Sequence, residues 1–150
     1  MKEAAEQLRA VVAIVGPELS RLDSGDVATK TAPGEWSKKE ILGHLIDSAA
    51  NNHQRFVRAV GGAGLEFPPY TQNEWVRIQR CNERPWAALV SLWSAYNDHL
   101  SHVIACIPDA AKPSPCNIGT PEPAALEFVV TDYLRHLKHH LKDILGGELL

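Results

Sequence analysis

The sequence has no long apolar run, no basic tract and no paired cysteines, and each absence closes off a class of protein. No stretch approaches the roughly 20 apolar residues that span a bilayer, so no membrane partner is expected. Lys and Arg number 15 against 18 Asp and Glu. No basic run interleaves with aromatics, so a nucleic-acid partner is not expected either. Cys81, Cys106 and Cys116 are odd in number and widely spaced; they form neither a CxxC knuckle nor a disulfide framework. The opening stretch MKEAAEQLRAVVAIVG places Glu3, Glu6 and Arg9 where an export signal needs a clean apolar core. A reducing, cytoplasmic location is the expectation. Strand-like alternation, internal repeats and low-complexity tracts are missing as well.

What is present is ordinary globular material, 45% apolar and 22% charged with a net charge of -3. A chain of this size reads as one domain, 1–150. Such a domain buries roughly 68–70% of its unfolded surface and needs no metal or disulfide to form a core. Four long helical patterns stand out. The first runs from about Lys2 to Leu22, with Gly16-Pro17 expected to bend it. The second is the best marked. In SKKE, Ser37 and Glu40 make a capping box, and Ile41, Leu45, Ala49, Phe56 and Val60 continue an apolar stripe up to GGAG at 61–64. Pro68-Pro69 hold the loop that follows. A short helix is expected around Trp75, from Gln72 to Arg80. The third long helix spans about Glu83 to Ile107. The fourth is expected to start at Thr120-Pro121 and to stop at Gly146-Gly147. The architecture implied is all-α, a four-helix bundle with a short extra helix between the second and third long helices.

The fourth helix carries the densest chemistry, YLRHLKHHLKDIL. On a wheel of 100° per residue, Leu126, Val130, Tyr133, Leu137, Leu141 and Ile144 define its buried face. His140 falls inside that arc and His136 at its margin, while His139 falls with Arg135 and Lys138 on the wet side. His136 and His140, at i and i+4, therefore point the same way, a spacing common in helical zinc sites. By itself the pair is equally an ordinary half-buried histidine beside a solvated one. A third ligand must come from another helix. His99 and His102 lie on the polar side of the third helix, and His53 lies across the seam from His44. His44 shares a polar stripe with Ser48, Asn51 and Arg55 along the margin of the second helix's apolar seam, which makes it the natural third ligand. No histidine here has a Glu three residues before it, so a di-iron site of Glu-x-x-His pairs is not expected. HLKHH has Leu where a zincin has its catalytic Glu.

The stretches TAPGEWSKKEILGHLIDSAANNHQRF, YTQNEWVRIQ, WSAYNDHL and DYLRHLKHHLKDIL together resemble the DinB/YfiT-like metalloenzyme superfamily. The resemblance spans about Pro33 to Leu145, and GHLID paired with a late HLKHH carries most of it. It implies a four-helix bundle and a divalent metal on three histidines, which by position are His44, His136 and His140, the same three that the wheel selects. It also implies thiol-dependent chemistry, since members of known activity transfer a low-molecular-weight thiol to an electrophile or use one in isomerisation. The superfamily's name refers to expression after DNA damage and implies no DNA binding.

Three neutral imidazoles leave an open coordination position, the mark of a catalytic site, and Zn, Ni or Fe would suit them. Asp47 and Asp132, each about one turn from a histidine, are the candidates to orient the imidazoles; both are equally readable as solvated carboxylates. Arg55 and Asn51 suit a carboxylate on a small-molecule substrate. Tyr70, Trp75 and Trp93 are candidate pocket walls, although aromatics at helical spacing more often pack in a core. The rival reading is a non-catalytic module, dimerising or binding a small molecule, in which a metal staples two helices. A homodimer is expected, with Trp86, Leu89, Trp93 and Tyr96 of the third helix either forming its two-fold interface or filling the bundle core.

Overall fold

Helix-forming periodicity decides this architecture almost alone. The structure is a computed structural model describing residues 1–23, 25–62, 65–67, 70–119 and 121–147. Five helices appear among these: α1 (Lys2–Ser20), α2 (Lys38–Val60), α3 (Gln72–Gln79), α4 (Trp86–Ala105) and α5 (Leu126–Leu145). The long helices α1, α2, α4 and α5 are the four expected ones, and α3 is the short one. Around the bundle α1 packs on α4 and α5, and α2 packs on the same two helices, so α1 and α2 sit diagonally. One continuous cluster of buried apolar side chains fills the space between them, including Leu8, Leu45, Phe56, Trp93, Tyr133 and Leu141.

The helix ends follow local chemistry. Ser37 Oγ accepts from the Glu40 amide at 3.2 Å and the Glu40 carboxylate accepts from the Ser37 amide at 2.8 Å, completing the expected capping box on α2. α1 runs through Pro17 as one element, with Gly16 packed closely against Ser94 of α4. Gly146 ends α5 in the left-handed region at φ 73°, which glycine adopts without penalty.

One sequence expectation changes here, and a second, left open between two readings, is narrowed. The start of the last helix moves from 120–121 to Leu126; Thr120, like Pro68-Pro69, lies outside the described residues. Pro123 explains the shift, because a residue before proline is pushed out of the helical region. Glu122 therefore cannot continue a helix begun at Pro121. Ala124–Ala125 instead forms β3, antiparallel to β2 (Pro115–Asn117), and β2 pairs in parallel with β1 (Leu65–Glu66). These strands of two or three residues are too short to show alternation in sequence. They replace a side-chain cap on α5, because the Leu126 and Glu127 amides donate to the carbonyls of Ser114 and Lys112 at 2.9 and 3.1 Å. The second concerns α4. Trp86, Leu89 and Trp93 are buried within the single chain, Trp93 completely, and the Trp86 indole donates to the Leu19 carbonyl at 2.7 Å. Of the two readings left open for this face, core filling accounts for Trp86, Leu89 and Trp93, while Tyr96 is half-buried.

Near its start α2 meets the turn at 81–83 so closely that a Cβ on Gly43 would lie 2.4 Å from Cys81 Sγ. Gly43→Ala should therefore cost about 1–3 kcal/mol in urea denaturation. Cys81→Ala in the same chain removes the sulfur and should recover most of that loss. Equal stability of Gly43→Ala and the parent would contradict this packing.

Candidate metal centre

Placing two rigid helices antiparallel brings residues far apart in sequence to one level. Phe56 meets Tyr133, with centroids 6.0 Å apart, while His44, two turns into α2, meets His136 and His140 near the end of α5. The ring centroids lie 5.0 Å apart for His44–His136, 5.1 Å for His44–His140 and 4.6 Å for His136–His140. One ligand-capable nitrogen from each falls within 4.8 Å of the other two. His44 Nε2 and His136 Nε2 face each other at 3.1 Å. Two nitrogens on one tetrahedral zinc at 2.0–2.1 Å would stand roughly 3.3 Å apart, so the spacing fits a shared cation. His44 is fully buried, His136 and His140 are half-buried, and His139 is exposed, the order in which the wheel sorts the fourth helix's inward and outward faces.

Electrostatics hold these rings in the form a cation needs. Burial, then the neighbouring His136 and His140, lowers the His44 pKa to about 4. Burial and His140 lower that of His136 to about 4, partly opposed by Asp132. His140 is lowered by burial against the opposing pull of Asp143. All three are therefore neutral near pH 7, with lone pairs available. The Nδ1 atoms of His44 and His136 are buried without a hydrogen-bond partner.

The residues expected to orient the rings do other work. Asp47 Oδ1 accepts from Gln79 Nε2 of α3 at 2.6 Å, docking α3 on α2, and burial raises its pKa. Three residues along a helix is a 60° rotation, enough to turn Asp47 from the α5 side towards α3. Asn51 Nδ2 donates to the Asp47 carbonyl at 2.9 Å. Asp132 pairs with Arg135 on the exposed side. The carboxylate that meets a ligand-candidate ring is Asp143, whose Oδ2 lies 3.1 Å from His140 Nδ1. That contact assigns the proton to Nδ1 and leaves Nε2 free for a cation. The i, i+3 spacing of His140 and Asp143 was legible but unweighed in sequence. Trp36, the residue before the cap, was missed in sequence; its ring lies 5.0 Å from His44 and 6.4 Å from His140. His139, His140 and Asp143 form a second group within ligand distance, but Asp143 there engages the opposite edge of His140.

A cleft of about 620 Å³ opens onto this centre, lined by Trp36, Lys38, Ile41, Asn73, His140 and Asp143 among others. Of the expected wall residues, Trp93 is enclosed in the core, and Trp75 packs on Tyr70 with centroids 4.7 Å apart. His53 lies away from the centre, 3.3 Å from the Tyr96 hydroxyl and stacked edge-on with His99.

The DinB superfamily matches this chain over residues 4–144. The chain belongs to the DinB superfamily. Among solved structures, this superfamily member is similar to YfiT from Bacillus subtilis, described as "a probable metal-dependent hydrolase with an unusual four-helix bundle topology". That likeness has a TM-score of 0.86 and 19% identity, covering 96% of this chain and 83% of YfiT. It is also similar to the mycothiol-dependent maleylpyruvate isomerase, with a TM-score of 0.76 and 15% identity, over 95% of this chain and 59% of that one. At these identities the likeness establishes the fold. No curated protein matches the sequence. Among the described residues of this DinB-superfamily chain, no helix is long and apolar enough to cross a membrane.

Because His44 and His136 titrate near 4 in the fold and near 6.5 when unfolded, the unfolded chain binds more protons between those values. Stability of the metal-free protein is thus complete above about pH 6.5 and is lost as the pH falls towards 4. Urea denaturation across that range should show the decline, and His44→Gln should flatten it. A profile that is level in the parent would contradict the burial of these rings.

Proposed function

We propose that this protein is a mononuclear metal-dependent enzyme in which His44, His136 and His140 hold one divalent cation, Zn, Ni or Fe, with a coordination position left open. The reaction we infer is transfer of a low-molecular-weight thiol to an electrophilic small molecule, or a related hydrolysis. One observation carries this reading: three neutral imidazoles converge, and one of them, His140, lines a cleft large enough for a small molecule. A metal that merely stapled helices would need no such approach. The mycothiol dependence and the metal-dependent hydrolysis named for the two similar structures support the chemistry.

When bound, a cation there supplies Lewis acidity, lowering the pKa of a thiol or water that joins it. The chain's own residues supply the rest. His44 is clamped by burial in the α2 seam, and Asp143 fixes the tautomer of His140. Trp36 covers the rings from the loop side and limits the water that reaches them. The imidazoles, committed as ligands, are not free to take up a proton, so a thiol's proton would leave to solvent; as its sulfur bonds the electrophilic carbon, the bond broken there would release its electron pair to a leaving group or, in an addition, to an atom that takes a proton from solvent. This reading carries a cytoplasmic setting and a homodimer whose interface lies outside the buried Trp86, Leu89 and Trp93.

Metal analysis of the untagged protein tests it. His44→Ala, His136→Ala and His140→Ala should each lower bound metal at least about tenfold, while His139→Ala retains it. A thiol-transfer screen with the native metal should give turnover that the same three variants lose. Full metal in His136→Ala, with loss in His139→Ala, would overturn the ligand assignment. A loaded protein inert towards every thiol and electrophile, with a saturated cation, would favour the stapled module.

A further inference from the structure

Arg55 stands on α2 eleven residues beyond His44, about 16 Å further along the axis. Long helical side chains lean towards the N-terminus, which brings its head group back to about 10 Å from the histidine level. The residue is half-buried, and burial pulls its pKa below the usual arginine range. A guanidinium has five donors. Here Nη1 makes one long bond of 3.4 Å to Asn52 Oδ1, and the Phe67 ring centroid lies 6.0 Å away. Among the described residues no carboxylate comes within ion-pair distance of it. Asp132 is near enough to act on it electrostatically, but its carboxylate is held by Arg135. Eleven residues carry the helix to within about 20° of whole turns, so Arg55 and His44 stand on one face of α2, and Asp132 of α5 acts electrostatically on both Arg55 and His136. A half-buried guanidinium with donors to spare is a ready partner for a carboxylate.

We propose that Arg55 anchors the carboxylate of the small molecule that reacts at the three-histidine centre. The proposal rests on the metal-centre reading and narrows its substrate class to a carboxylic acid whose reacting atom lies about 10 Å from the carboxylate. A carboxylate fits better than a phosphate, because one planar fork matches its two oxygens, and a dianion would meet Asp132 with only one cation beside it. The seam also complements the cleft. Lys38 and Ile41 of the cleft precede His44 on α2 and Arg55 follows it, so the two lie on opposite sides of His44 along the helix.

Calorimetry with octanoate and octanamide reads the arginine independently of any metal. The parent should bind octanoate at least about tenfold tighter than octanamide, and Arg55→Gln should bind both alike. Arg55→Lys keeps the charge and loses the fork, so it should show a reduced preference; it also serves if the glutamine variant loses its helical circular dichroism. The second arm uses cobalt(II)-loaded protein and the cobalt–thiolate absorption band. 8-Mercaptooctanoate should bind at least about tenfold tighter than 8-mercaptooctanamide, while 2-mercaptoethanol should not distinguish the parent from Arg55→Gln. Equal binding of octanoate and octanamide by the parent, or an undiminished preference in both folded variants, overturns the proposal. An octanoate preference without any cobalt–thiolate band would support Arg55 and count against the metal-centre reading.

Discussion

Three imidazoles pressed together in a helical seam are the constraint on which the rest depends. All three are neutral rather than cationic at neutral pH, two have a buried Nδ1 without a partner, and two point their Nε2 atoms at each other across 3.1 Å. Polar groups buried in this way cost stability, and hydrophobic side chains at the same places would cost none. A cation would resolve the facing pair, since it takes the lone pairs of the two Nε2 atoms and needs them unprotonated. Structure and chemistry meet at this point: the arrangement is unfavourable for an empty core and favourable for a coordination site.

Everything around the centre serves its register. The candidate ligands His44 and His136 are 92 positions apart in the chain, so their meeting depends on where α2 and α5 begin. The Ser37–Glu40 capping box fixes the first end. The short sheet fixes the second, tying residues 115–117 to 124–125 and handing the first amides of α5 to loop carbonyls. Gly43 allows the turn at Cys81 to lie against α2 one residue before His44, and Asp47 binds α3 one turn after it. A slip of one residue at either helix start would rotate a ligand by 100° and break the convergence.

Much of this was legible in the sequence, and the limits have physical causes. A period of 3.6 over twenty residues is a strong signal, so the long helices, the inward direction of His136 and His140 and the outward direction of His139 could be read directly. Short-range exceptions were harder. Pro123 delays α5, but its effect acts through one preceding residue and competes with a plausible cap at Thr120. The strands are too short to have a period. Asp47 and Asp132 had the right spacing for the histidines, but carboxylates choose among all neighbours in space: Gln79 lies on another helix and is invisible to a single-helix wheel, whereas Arg135, three residues after Asp132, was visible on it and went unweighed. Trp36 lies in a loop, where no periodicity indicates what a side chain will face. The bulky face of α4 could not be divided between core and interface without the other helices in place.

The central claim is that one cation sits on three imidazoles with room for a further ligand. X-ray absorption spectroscopy of the metal-loaded, untagged protein tests it most directly. The account predicts multiple-scattering features of three histidine rings at about 2.0–2.1 Å for zinc, together with at least one lighter oxygen donor. Addition of a small thiol should replace that oxygen by one sulfur near 2.3 Å while all three rings stay. A shell with fewer than three imidazoles, or one closed to the added thiol, would contradict it.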